Sequence, residues 1–499
     1  MDTHDSSLPF AGWQLESTWT DQLPMDPSRT TEPRHVDAFG AFVRPSPTRE
    51  SFPLAVSSRL ADALNFEGTT DPGVLTGSTT IAGFDAYSTN YGGHQFGNWA
   101  DQLGDGRAIT VAEMRNAVGQ RQELQLKGGG LTPFSRFADG RAVLRSSVRE
   151  YIASESMAAL GVPSTRALWL AGTGEPVLRD RFYDGHPAPE SGAVVCRVAP
   201  SWIRFGHFEL PAARGQVDRV KQLADFCITR DFPGLSYADW FGEICKRTAL
   251  MIAKWQAVGF VHAVMNTDNM SVSGLTIDYG PFGFMDLYDP TWTPNTTDRP
   301  ARRYRYAQQP AVGFWNLQRL AMAISSLFGD DMEPLQQGLV EYERTFVAED
   351  ARLQSAKLGL TTYPRDVIEG FHRLMAEQQL DFRRAYLAVQ NDTDLAAESY
   401  RPDPDRDAIA LWIADYRVAR ASHSAEFAGN PLVLPHNWIL QELIDAAQLA
   451  YDERRECPEL ALFLNAMNGE MRGIPAHWLE KRPSWASTQR GCTDLSCSS

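Results

Sequence analysis

Between Gln122 and Val162 the hydrophobic pattern changes period once, and that change constrains the chain more than any other feature. In "QELQLKGGG", Leu124 and Leu126 alternate with Glu123, Gln125 and Lys127, the period of two that marks a strand with one apolar face. In "VLRSSVREYIASESMAALGVP", Leu144, Val148, Tyr151 and Ile152 recur at helical spacing, and Gly161 with Pro163 supplies the stop. Lys127 therefore points away from the core of a strand, and Glu150, 23 residues on, rides the next helix.

The same change of period runs through the whole chain. "AVVCRVAPSWIRFG" reads as a strand leading into a turn. From "SYADWFGEICKRTALMIAKWQAVG" the pattern is helical, with Phe241, Ile244, Thr248, Met251, Ile252 and Trp255 on one stripe and Ser236 with Asp239 as N-cap and partner. "PAVGFWNLQRLAMAISSLF" and "NWILQELIDAAQLAYDERR" continue it. A strand-rich half is followed by a helix-rich half, and 499 residues suit one large two-lobed unit of α+β class. The Pro-, Ser- and Thr-rich start, with "RPSPTRESFP", predicts an extended arm over 1–85 that wraps this body.

Charge narrows the function. A net charge of -15 and a pI near 5.2 argue against a nucleic-acid partner, because the global field repels a polyanion. Any phosphate site must then be a local basic pocket. No apolar run approaches the ~18 to 20 residues of a membrane span. The first thirty residues are acidic and lack an apolar h-region, so neither a secretory signal nor a transit peptide is predicted and a cytoplasmic protein is expected. Six cysteines are too dispersed for a disulfide scaffold or paired zinc clusters.

Four pieces could build a nucleotide site: the glycine turn "LGDGR" (Gly104, Gly106, Arg107), Lys127, Glu150, and the aspartates of "HAVMNTDNMSVSGLTIDYGPFGFMDLYDP". Each is weak alone, and "KGGG" lacks the Walker pattern. Their order is that of protein kinases: strand lysine, helix glutamate, then an Asp and Asn, then another Asp at a strand end. "SGLTIDYG" reads as a short strand, and Asp278 at its end would be costly to bury unless something cationic stood opposite, for which a metal is the economical answer. Asn269 and Asp278 with nucleotide phosphates would suffice for Mg²⁺, leaving Asp268 to act on an acceptor hydroxyl. Arg197 and Arg204 could fork onto phosphate oxygens. Asp286 and Asp289 read as capping or solvated residues and His262 as a structural histidine.

"YGGHQFGNWADQLGDGRA", "LKGGGLTPFSRFADGRAVLRSSVREYIASE", "RVAPSWIRFGHFE", "VGFVHAVMNTDNMSVSGLTIDYGPFGFMD", "QPAVGFWNLQRLA" and the ending "SCSS" together resemble the selenoprotein O (SelO, YdiU) family, densely over residues 85 to 330. The resemblance implies a bilobal protein-kinase-like fold of the pseudokinase type: a strand-rich N-lobe over 86–205, a helical C-lobe over 206–455 and a tail over 456–499. It implies transfer of AMP from ATP, bound in a reversed pose, to Ser, Thr or Tyr hydroxyls of protein substrates, with Mg²⁺ or Mn²⁺. By position the family's nucleotide contacts fall on Gly104, Gly106, Arg107, Lys127, Asp139, Gly140, Arg197 and Arg204, with Glu150 as the partner of Lys127. The base falls on Asp268, and the metal ligands on Asn269 and Asp278, the latter also near the nucleotide. An ordinary kinase loop has its Asn five positions after the catalytic Asp, whereas Asn269 follows Asp268 directly. Rival readings are a protein or small-molecule kinase, a UMP transferase and a non-catalytic nucleotide-binding scaffold.

The family's C-terminal cysteine falls on Cys497, but its partner in some relatives, a cysteine after "YGPFGF", has no counterpart here, and Pro294 stands about where it would be. Pairing of Cys492 with Cys497 is one alternative. The expectation for a reducing compartment is a Cys497 left unpaired in a frayed tail.

Overall fold

A computed structural model of the chain describes residues 5–69, 71–181 and 185–496. Among these, ten strands make one sheet, whose main path runs Met25–Asp26, Gly40–Phe42, Tyr87–Thr89, Ala108–Asn116, Arg121–Lys127, Ala188–Ala199, Arg166–Arg179 and Phe52–Val56. Trp13–Glu16 pairs with Ala108–Asn116, and Ala142–Val143 with Ala188–Ala199. The alternation read in "QELQLK" holds: Leu124 and Leu126 are buried, and the strand lies antiparallel to both neighbours. The fold is mixed α+β, strands dominating the first part and helices the remainder.

The segment expected to form a wrapping arm is instead part of the sheet. Trp13–Glu16, Met25–Asp26, Gly40–Phe42 and Phe52–Val56 all pair into it, and Trp13, Ala41, Phe52 and Leu54 are buried. Its Pro- and Ser-rich stretch only connects two of these strands. Here the apolar residues between the turn signals outweigh the turn signals themselves.

Helix Leu144–Ala159 packs across strands Arg166–Arg179 and Ala188–Ala199. The helical part is organised around Tyr237–Ala257, which starts where its cap was read: the Ser236 side chain accepts from the Asp239 N–H, and all six residues of the apolar stripe are buried. This helix packs on Gln309–Ile324 and Glu333–Lys357. A Cβ at Gly313 would press on the side-chain ends of Ile252 and Tyr342, which would have to shift. No helix among the described residues is long and apolar enough to cross a membrane.

The chain's end does not fray over its described residues. Leu495 forms a parallel bridge with Asn295, Thr296 N–H donates to Leu495 O at 2.8 Å, and Arg299 pairs with Asp494 at 2.6 Å. Leu495 and Ser496 are buried because the tail fills the groove beside Pro294. Cys492 is an unpaired buried thiol; Cys497 lies outside the described residues.

Helices Arg365–Glu377, Phe382–Asn391 and Arg406–Ser422 enclose a second core, built on Phe371, Trp412, Tyr386 and Tyr416. His372 sits at its rim, 3.1 Å from the Tyr386 hydroxyl and 3.3 Å from Gln354 Oε1. Burial, reinforced by the nearby Lys357 charge, pushes its imidazole from 6.5 down to about 4. The unfolded chain therefore gains a proton near pH 6.5 that the folded chain refuses until about pH 4, and stability falls as pH drops through that window. Replacing His372 with Gln should flatten the pH dependence of the unfolding free energy measured in urea, by up to ~3 kcal/mol between those limits, following the ~1.4 kcal/mol per pKa unit of linkage. Equal acid sensitivity of variant and parent would remove His372 as its source.

Candidate active site

Lys127 ends its strand with Val195 as its cross-strand partner, and two residues earlier Gln125 lies opposite Arg197. Side chains two apart share a face, so register alone brings Lys127, Gln125 and Arg197 together. Helix Leu144–Ala159 passes over that face and contributes Glu150, whose Oε2 lies 2.6 Å from Lys127 Nζ and whose Oε1 accepts from Arg197 Nη1 at 3.2 Å. The lysine–glutamate pair anticipated from their order is formed.

Asp278 arrives from the other side. The expected short strand in "SGLTIDYG" is absent: Thr276 makes isolated bridges to Ser164 and Met270, and Asp278 itself takes the left-handed conformation, φ 56°, which ends any extended run. That turn aims its carboxylate at Arg197 and Arg204, both of which hydrogen-bond it, with Lys127 Nζ at 3.6 Å. Burial opposes its charge, but Arg204, Arg197 and Lys127 together hold it well below the ordinary carboxylate range. The cationic partner that its burial demands is thus supplied by three side chains. Arg204 extends the chain of charges to Asp105, 3.6 Å away, which also accepts from the Thr89 and Tyr91 hydroxyls.

Of the residues assigned from the sequence to the nucleotide, base and metal positions, all but Asp139 line one cavity of about 550 Å³. Asp139 is exposed and grips Arg179 through both oxygens, at 2.6 and 2.8 Å, and it is Arg179 that reaches the cavity. The glycines are needed for close approach: a Cβ on Gly140, at φ 71°, would strike the Gly130 carbonyl, and one on Gly104 would enter the Phe134 ring. Seven lysines and arginines line this space against four carboxylates, which makes it the local basic pocket that an acidic chain needs for phosphate. His262, Asp286 and Asp289 lie elsewhere: His262 Nε2 bonds Ile277 O, Asp286 pairs with His436, and Asp289 accepts from Thr291.

Asp268 and Asn269 occupy a single turn of 3-10 helix, Thr267–Asn269. Asp268 is buried, its Oδ2 accepts from Gln95 Nε2 at 3.3 Å, and its Oδ1 has no hydrogen-bond partner. Burial pushes its carboxyl up to about 7, against the Arg204 charge and the Gln95 hydrogen bond. Asn269 Nδ2 donates to Val264 O at 2.9 Å, which leaves its side-chain oxygen for another partner. No cluster of three or more His, Cys, Asp or Glu able to hold a metal occurs among the described residues. A pair of oxygen donors, Asn269 and Asp278, is what a hard cation completed by phosphates and water requires.

Sequence reading missed Gln95, Asp105 and Arg179, although Asp105 sits between the two glycines of the "LGDGR" turn and Gln95 within "YGGHQFG". It also missed the start of helix Leu144–Ala159, which has no side-chain cap and opens onto the cavity with Ser146 and Ser147. A legible signal was there: Val143 holds the N-cap position, so the first amides are left for a ligand.

The family model described as protein adenylyltransferase SelO matches residues 22–449. The chain is 46% identical to the protein nucleotidyltransferase YdiU of Xanthomonas campestris pv. campestris, over 97% of this chain and 99% of the relative. It is 45% identical to that of Xanthomonas euvesicatoria pv. vesicatoria, over 96% and 98%. Xanthomonas oryzae pv. oryzae has a YdiU of the same name at 44%, with the same coverage as the second.

Because Arg197 and Arg204 are buried around Asp278, Asp278→Ala should cost about 3–5 kcal/mol of stability, the usual consequence of stranding buried charges. Asp278→Asn preserves the shape and should cost less. Urea midpoints of the two variants measure this, and an alanine variant as stable as the parent would show that the network does not hold the fold.

Proposed function

This chain belongs to the protein adenylyltransferase SelO family, and from that premise we propose that it transfers AMP from ATP to hydroxyl side chains of other proteins. The observation that carries this reading is the make-up of the cavity: Lys127, Arg197, Arg204 and Arg107 line it together with Asp268, a buried carboxylate with one oxygen unengaged. The pairing of Lys127 on a strand with Glu150 on the next helix supports a kinase-like division into lobes over 86–205 and 206–455.

In this mechanism the acceptor oxygen attacks the α-phosphorus, the bond from that phosphorus to the bridging oxygen breaks, and pyrophosphate leaves. Asp268 takes the hydroxyl proton on Oδ1; a carboxyl near 7 is matched to that task at neutral pH. Lys127, Arg107 and Arg179 hold the phosphates, and the uncapped helix start donates backbone N–H groups to them. The reversed pose of ATP is what turns the α- rather than the γ-phosphorus toward Asp268. Asn269 and Asp278 would hold Mg²⁺ or Mn²⁺, which supplies neutralisation of phosphate charge. Positioning and charge carry the rate, with no covalent enzyme intermediate.

Incubation with ATP labelled at the α- or the γ-position separates this from a kinase: label should reach protein from the α-position, and transfer from the γ-position alone would overturn the proposal. α-Labelled UTP in parallel reads out UMP transfer. Asp268→Asn should keep nucleotide affinity while lowering transfer by about 10²- to 10⁴-fold, the usual contribution of a positioned base; unchanged transfer would remove Asp268 from the mechanism, and no transfer by the parent from any label would leave a binding scaffold.

A further inference from the structure

Asp268 meets its acceptor beside a hairpin in which His94–Gln95 pairs with Asn98–Trp99. The hairpin is fastened at several points. His94 N–H donates to Thr267 Oγ1 at 2.7 Å, and Phe96 N–H donates to Asn266 Oδ1 at 3.1 Å and to the Tyr304 hydroxyl at 3.0 Å. Its turn lies against the next residue, since a Cβ on Gly97 would stand 3.3 Å from the Arg303 guanidinium carbon. Arg303 in turn lies over the Trp315 ring, 4.6 Å from its centroid, and Arg319 lies 5.0 Å from the same centroid. The indole also meets the His94 ring at 5.5 Å. A continuous surface therefore runs from Asp268 through Gln95 and the Gly97 turn to Arg303, Trp315 and Arg319.

The two guanidiniums on that surface are free of direct ion pairs, although the Asp298 carboxylate lies near enough to Arg303 to feel its charge. Among the described residues no carboxylate forms an ion pair with Arg303 or Arg319, and the Nε of each is buried without an acceptor. The neighbouring acids have other partners: Asp298 accepts from the backbone N–H groups of Arg303 and Tyr304 at 2.9 and 2.8 Å, and Glu209 holds His94 Nδ1 at 2.6 Å through Oε1, its Oε2 being buried without a partner. A guanidinium stacked on an indole keeps its N–H edges in a fixed plane, the geometry that receives a carboxylate bidentately. The net charge of -15 does not forbid an acidic partner here, because screening over about 8 Å at physiological salt leaves local cations to decide close contacts.

We propose that Arg303 and Arg319, presented on Trp315, form the acceptor-docking surface, and that it selects protein segments carrying Asp or Glu beside the reactive hydroxyl. The inference rests on the reading of Asp268 as the group facing the acceptor. It adds the substrate class: acidic-flanked hydroxyls.

The test uses the full chain and short fluorescent peptides in which the acceptor Ser is replaced by Ala, flanked by acidic, neutral or basic residues. Anisotropy should rank the acidic peptide first, its affinity should fall as salt is raised, and the R303Q/R319Q double variant should weaken it about three- to tenfold while leaving the neutral peptide unchanged. With Ser peptides and ATP, KM for the acidic peptide should rise by the same factor, with kcat and KM for ATP unmoved. Equal binding of acidic and neutral peptides by the parent would overturn the proposal, as would preferential binding of an oligonucleotide. Should the double variant melt early, R319Q alone and the salt titration of the parent carry the same decision. The Ala peptides need no chemistry: charge-selective binding without AMP transfer would leave the docking surface standing and bring down the adenylyltransferase reading instead.

Discussion

The alternation of Lys127, Glu150, Arg197, Asp278, Arg204 and Asp105 is the interaction on which the rest of the site depends. Three cations and three anions lie within ion-pair reach of one another, and Glu150, Arg197 and Arg204 are almost wholly removed from water. A buried ion left alone costs several kcal/mol, so each member is tolerable only because its neighbours are in place. The consequence is mechanical as well as electrostatic. Two strands, the helix Leu144–Ala159, the turn after Ala199 and the left-handed turn at Asp278 are tied at one point, and the cavity is bounded by what is tied.

A nucleotide entering this space meets cations that already have partners. Phosphate oxygens must compete with Asp278 for Arg197 and Arg204, and with Asp139 for Arg179. A hard cation held by Asn269 and Asp278 would ease that competition by neutralising phosphate charge beside the carboxylate. Asp278 thus has one structural role and one proposed chemical role, and its pull toward the arginines sets the affinity with which the second can be exercised.

How much of this was legible follows from the range of the interactions involved. Local periodicity placed Lys127 on a strand, Glu150 on a helix and the Ser236 cap correctly, since each depends on residues only a few positions apart. The first eighty-five residues were misjudged because turn-forming prolines are conspicuous and short buried strands such as Phe52–Val56 are not. The arginine partners of Asp278 were not foreseen because Arg197 and Arg204 lie 81 and 74 positions away, beyond any pattern in one sequence. Gln95 was invisible for the same reason: its contact with Asp268 spans 173 positions. Asp139 was placed by resemblance, and the fork of Arg179 that captures it comes from a distant strand.

The adjacency of Asp268 and Asn269, anomalous beside the five-residue spacing of ordinary kinases, has a geometric explanation. Both lie on one 3-10 turn, where successive side chains are about 120° apart around the axis. Neighbours in sequence therefore face different directions from a shared backbone. Asp268 meets Gln95 and the hairpin, and Asn269 is turned by its bond to the Val264 carbonyl. Arg204, by donating to the Asp268 carbonyl at 2.8 Å while also holding Asp278, locks that turn to the charged network. A loop with four intervening residues would need its own scaffold to hold two groups in register, whereas a single turn pinned by one buried arginine needs none.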